Sequence, residues 1–148
     1  MKKHVLISVN DTDYRLRLSI AAQRKLQKKY EKEGGPSALA ICIAACDNPT
    51  IFADVLDVCL NWPESGNPRL GGDALYDELV EADMLTNTPD RTKMVIDILV
   101  SAGLVDEEHG DAIVEGAQYR RDNAVEKLLS HADEDEEEAA AEENPQTP

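Results

Sequence analysis

Aromatic side chains are scarce in this chain, six among 148 residues. A core must therefore be assembled from Leu, Ile, Val and Ala within the 42% apolar content, which suits closely packed helices and argues against an all-β sandwich. Paired cysteines are lacking as well. Cys42, Cys46 and Cys59 are three in number and sit in apolar helical patterns, so they read as buried free thiols and not as a disulfide framework. Long apolar runs are missing: Ala38 to Cys46 spans nine residues, against the roughly twenty that a membrane span needs. At the N-terminus two lysines are followed by Asn10 and Asp11 before any signal core develops. A cytosolic protein is the expectation.

Positive charge is scarce beyond residue 34. The first 34 residues hold nine of the fifteen Lys and Arg against four acids, a balance of +5. Residues 35 to 132 carry six basic and eighteen acidic residues, and eight uncompensated acids follow from Asp133, for a total of −15. That balance repels phosphate backbones and anionic membranes, so neither nucleic acid nor a membrane is an expected partner. A chain sorted by charge in this way is suited to meeting charged protein neighbours.

The N-terminal unit is the most informative segment. From His4 to Leu18, Val5, Ile7 and Val9, then Tyr14, Leu16 and Leu18, alternate with other residues across the turn Asn10 to Asp13, the pattern of a hairpin with one apolar face. An isolated hairpin is marginal in water, so it must lie on helices or pair its edge with another chain. A helix over Ile20 to Tyr30 follows, with Ala22, Leu26 and Tyr30 as an inward stripe and Arg24, Lys25, Lys28, Lys29 and Lys32 on the opposite arc.

Ser37 is placed to cap a second helix carrying Leu39, Ile43 and Cys46 inward, and Pro49 to open a third with Ile51, Phe52, Val55, Leu56, Cys59 and Leu60 inward. Residues 63 to 72 read as an exposed loop. Asp73 then caps a helix with Leu75, Tyr76, Leu79, Val80 and Met84 on its apolar side. Pro89 opens another with Met94, Val95, Ile98, Leu99 and Ala102, stopped by Gly103. Residues 106 to 132 read as one further helix or two, with Gly116 leaving continuity open, and carry Ile113, Ala117, Val125, Leu128 and Leu129. The expected architecture is mainly α: a single domain over residues 1 to 132, with a hairpin at 1 to 18 and a compact bundle of about five to seven helices. A disordered acidic tail is expected over 133 to 148.

No catalytic constellation assembles locally. Gly66 to Asp73 has two glycines five apart before a helix, but Gly72 and Asp73 stand where a phosphate loop needs Lys and Ser or Thr. Cys42 and Cys46 share a helix face without a second CxxC or an HxxxH to complete a zinc set. The acids of Asp106 to Glu115 miss the alternate positions of a calcium loop. His4, His109 and His131 have no nucleophile or carboxylate arranged around them at local spacing. Asp73, Asp77 and Glu81 stand out because their i, i+4, i+8 spacing lines three carboxylates along one helix edge. They form either a solvated face or an acidic edge that meets the Lys25/Lys29 arc of a neighbouring copy or a basic segment of a partner.

In order and pattern these features resemble the tail assembly chaperones of long-tailed bacteriophages and prophages, especially those of Gram-positive hosts. The segments YRLRLSIAAQRKLQKKYEKEGG, LYDELVEADM and MVIDILVSAGLV carry the resemblance over roughly residues 1 to 105. Leu104 and Val105 stand where an aromatic often follows the late glycine, and the chain beyond residue 132 is unmatched. The resemblance implies a non-enzymatic protein without a cofactor, working in the host cytoplasm and absent from the mature virion. It would coat the tape measure protein while tail tube protein polymerises around it, as a homo-oligomer. Arg24, Lys25, Lys28, Lys29, Asp73, Asp77 and Glu81 are then the partner-binding residues. A competing reading is an acidic regulator that mimics nucleic acid and blocks a DNA-binding partner.

Overall fold

The computed structural model describes residues 3–31 and 36–142, with side chains as far as residue 130. Two strands, β1 (Val5–Val9) and β2 (Thr12–Leu16), precede six helices. These are α1 (Ile20–Lys29), α2 (Ala38–Ala45), α3 (Pro49–Leu60), α4 (Gly72–Glu81), α5 (Thr88–Ser101) and α6 (Glu107–Glu142). The mainly helical class with an N-terminal hairpin matches the expectation from the sequence. Lys32 and residues 143–148 lie outside the described residues. From 133 to 142 only the backbone of the expected acidic tail is described, as part of α6.

The strands pair antiparallel with Val9 opposite Thr12, so the turn is two residues long and tighter than the four the sequence suggested. Asn10 and Asp11 both adopt positive φ, 51° and 62°, a conformation that short polar side chains tolerate and that matches strand twist in a two-residue hairpin. Ile7, Val9, Tyr14 and Leu16 are buried on the inner face, where β2 packs on α3 and β1 on α5.

Helix α3 is the centre of the bundle. It packs against α1, α2, α4 and β2, and buries Phe52, Ala53, Val55, Leu56, Val58, Cys59 and Leu60. Asn48 caps it through its side-chain oxygen, and Pro49 occupies the first turn where no N–H is needed. Ser19 and Ser37 cap α1 and α2 in the same manner. At the end of α5, Gly103 takes φ 77°, and the N–H of Leu104 reaches back to the carbonyl of Leu99, a glycine stop of the kind expected.

Two local expectations are corrected. Leu39 and Ile43 face outward on α2, which buries Ala38, Ile41, Cys42, Ala45 and Cys46. The segment ALAICIAA is apolar on every side, so periodicity does not choose its inner face, and small Ala and Cys side chains let α2 approach its neighbours closely. Asp73 does not cap α4. The cap position is Gly71, and the N–H of Gly72 donates to Asp57 Oδ1 of α3 at 2.9 Å. The loop between α3 and α4 is exposed over most of its length, as expected, and is tied to the hairpin: Asn67 donates to the carbonyls of Arg15 and Leu60 and accepts the N–H of Arg15 at 2.7 Å. Trp62 Nε1 adds a bond to the same Arg15 carbonyl at 3.0 Å.

Helix α6 passes through Gly116 unbroken and packs on α5, with Ala117 buried and Ile113 and Val114 half-buried. Its 36 residues make a rod of about 54 Å at 1.5 Å per residue, longer than the 14-residue α5 that supports it. Val125, Leu128 and Leu129, in the outer part of the rod, are exposed.

Gly72 is the tightest point between helices. A Cβ there would meet the carbonyl oxygen of Ala53 and lie 2.6 Å from the backbone nitrogen of Asp57, where neither main chain can yield cheaply. Gly72→Ala is expected to destabilise the fold by about 1–3 kcal/mol as α4 is pushed off α3, read from the midpoint of urea unfolding. An unchanged midpoint would mean that the two helices are not in this contact.

Candidate functional site

The basic arc lies on α1. Arg24, Lys25 and Lys28 are exposed, and no ion pair to any of them is seen among the described residues. Lys29 is different: its Nζ is 2.7 Å from Asp54 Oδ1 on α3. The same carboxylate accepts the hydroxyl of Tyr30 through its other oxygen. That hydrogen bond to Asp54 holds the Lys29 ammonium above its ordinary value, with Asp54, Asp57 and Asp73 adding negative potential. Burial, with the bond to Asp54 second, pushes the Tyr30 phenol up to about 12.

Asp73, Asp77 and Glu81 line the exposed side of α4, as their spacing indicated. The fold sets Lys29 within electrostatic reach of Asp73 of its own chain. One cation of the arc is thus turned toward internal acids, leaving Arg24, Lys25 and Lys28 to face outward. On the neighbouring turn of α4, Glu78 accepts from the Tyr14 hydroxyl at 3.3 Å, and burial raises that phenol as well. Sequence reading passed over Asp54 and Asp57 because both lie within an apolar helix, and their partners are 24 and 15 residues away.

A second surface collects apolar side chains. Beside the middle of α6 a groove of about 340 Å³ is lined by Ala117, Ala124, Val125 and Leu128, with Arg120 and Arg121 on one rim and Asp47 and Thr88 on the other. On α2, Leu39 and Ile43 stand one turn apart on the exposed side, and the chain reaches the rim residue Asp47 one turn further on. Leu128 and Leu129 are 69% and 65% exposed, and Tyr119 on the same helix is 71% exposed. Side chains of this size left open in a group mark an interaction surface more often than single exposed leucines do.

The cysteines offer no reactive thiolate. Cys42, Cys46 and Cys59 are free and buried, and burial pushes the Cys42 thiol up to about 12 and raises the other two. Among the described residues no group of three or more His, Cys, Asp or Glu is placed to hold a metal ion. No helix among them is long and apolar enough to cross a membrane.

The Tyr30 to Asp54 contact carries a sign. Because the folded-state phenol titrates above its ordinary value near 10, its contribution to stability is complete below that pH and is lost as pH rises toward about 12, when a phenolate would face the Asp54 carboxylate. Tyr30→Phe should flatten the alkaline fall of the unfolding midpoint measured over that interval. It should not abolish the fall, since Tyr14 and Lys29 titrate in the same direction. A variant as alkali-sensitive as the parent would remove Tyr30 from the account. Comparison of the chain with family models, curated proteins and solved structures gives no match.

Proposed function

We propose that the protein is a tail assembly chaperone of a long-tailed phage or prophage, acting without catalysis to keep the amphipathic helices of a tape measure protein soluble while tail tube protein assembles around them. The observation that carries this reading is the open apolar groove of α6, with Leu39 and Ile43 also exposed on α2. A helix laid in such a groove is held by apolar anchors at i, i+3, i+4 and i+7, and the client covers the leucines that the fold leaves in water. Arg120 and Arg121 on the rim would attract acidic positions on the polar flank of that helix.

Charge supports the rest of the role. A net −15 keeps loaded complexes apart, while the exposed Arg24, Lys25 and Lys28 of one copy face the Asp73, Asp77 and Glu81 edge of the next. That contact joins two different surfaces, so it propagates along an elongated client and does not close after two copies.

Coexpression with a tape measure protein tests the reading through the soluble yield of the client. The chain should raise that yield, and Leu128→Glu combined with Leu129→Glu should remove most of the gain. Each leucine contributes about 1.5–3 kcal/mol when buried, enough to weaken binding about tenfold or more. Both side chains are largely in solvent, so the variant should fold as the parent does. A client that remains insoluble beside the parent chain would overturn the proposal. Lys25→Glu with Lys28→Glu should leave client binding in place but reduce the number of copies per client and its dependence on salt, measured by light scattering. Unchanged stoichiometry and salt response would rule out the arc as the contact between copies.

A further inference from the structure

The hairpin has two edges, and the fold treats them differently. On β2 the outward backbone groups of Arg15 and the N–H of Arg17 are taken up internally: Asn67 and Trp62 bind Arg15, and the N–H of Arg17 donates to the carbonyl of Cys59 at 3.0 Å. On β1 the register puts Val5, Ile7 and Val9 opposite Leu16, Tyr14 and Thr12. With a two-residue turn these are the hydrogen-bonded pairs, so the N–H and C=O groups of Leu6 and Ser8 point away from the hairpin. Among the described residues no backbone hydrogen bond from outside the hairpin reaches either one.

An open strand edge invites another strand, and proteins that keep one in water usually blunt it with Pro, Lys or a bulge. Residues 4–9, HVLISV, contain neither Pro nor Lys, and Leu6 is 56% exposed. Beside this edge a trough of about 220 Å³ separates β1 from α5, with Met84 and Met94 in its lining and Lys93 and Asp97 along it.

We propose that β1 pairs antiparallel with β1 of a second copy, Leu6 opposite Leu6, to give a continuous four-stranded sheet in the order β2-β1-β1-β2. Two features select a second copy as the occupant. A two-fold axis at Leu6 matches outward groups with outward groups, keeps the apolar faces of both hairpins on one side, and covers each exposed Leu6 with the other. The same axis passes near the stretch of α5 that lines the trough, where the exposed i, i+4 pair Lys93 and Asp97 lies 3.4 Å apart. Each copy therefore brings one exposed charge of each sign, Lys93 and Asp97, to the neighbourhood of the contact. The sheet grows from two strands to four, past the size at which strands are marginal in water. This contact is isologous and does not depend on what the apolar groove of α6 binds.

Sedimentation and cross-linking of the full chain test it. Without client and at a salt concentration that screens the contact between the basic arc and the α4 edge, the parent should sediment at twice the 16.3 kDa of one chain. Leu6→Lys sets like charges opposite each other, and Ser8→Pro removes an outward N–H and the Ser8 to Asp13 side-chain bond while leaving the backbone bonds of the hairpin intact. Each should raise the dimer dissociation constant about tenfold or more, with an unchanged far-ultraviolet spectrum. Leu6→Cys supplies a positive readout, since hydrogen-bonded antiparallel partners have Cα atoms about 5.5 Å apart, within disulfide range. Mild oxidation should link Leu6→Cys into a covalent dimer while Ser8→Cys, which faces the start of the partner strand, stays largely unlinked. The native thiols are buried and do not compete. A parent that sediments as a monomer, a dimer that survives both Leu6→Lys and Ser8→Pro, or equal cross-linking at positions 6 and 8 would overturn the proposal.

Discussion

Everything in this fold is arranged around the burial of α3. A twelve-residue helix with seven buried side chains cannot be covered by one neighbour, and α1, α2, α4 and β2 each take a share of its surface. With six aromatics in the whole chain, contact has to come from close approach and not from large side chains. That is why Gly72 stands against the backbone of α3, and why α2 turns Ala and Cys inward while Leu39 and Ile43 are left outside. Asp57 contributes to the same packing from its polar side by receiving the N–H of Gly72.

The surface follows from that core. Once α3 is covered, Leu39 and Ile43 of α2 and Val125, Leu128 and Leu129 of α6 are left exposed, and Val125 and Leu128 line the groove beside α6. The charges are divided in a related way. Asp54 pairs with Lys29, which is still exposed, and with Tyr30, so one cation of the α1 arc is engaged within the chain. A partly exposed pair of this type contributes on the order of 1 kcal/mol or less; its clearer effect is to orient the remaining arc.

The loop between α3 and α4 links packing to assembly. By placing Asn67 and Trp62 on the backbone of Arg15, it closes one edge of the hairpin and leaves β1 as the edge open to a partner. An open edge, an apolar groove and a charged arc are three different chemistries. Each suits a different neighbour: a strand, an amphipathic helix and an acidic surface.

Much of the architecture was legible in residue order because it rests on local rules. Alternation marked the hairpin, Ser37 marked a helix start by offering its oxygen to a free N–H group, Pro49 opened α3, and Gly103 stopped α5 because its positive φ costs a glycine little. Periodicity likewise picked the inner faces of α3 and α5, where polar residues interrupt the apolar pattern and so set its phase. What only the tertiary structure decided lacks a local signature. The inner face of α2 depended on its neighbours because its sequence is apolar all round. The placement of Lys29 on Asp54, of Asp57 on Gly72 and of Asn67 on Arg15 joins residues 15 to 52 positions apart, and nothing within a turn or a strand length of either partner encodes such a meeting.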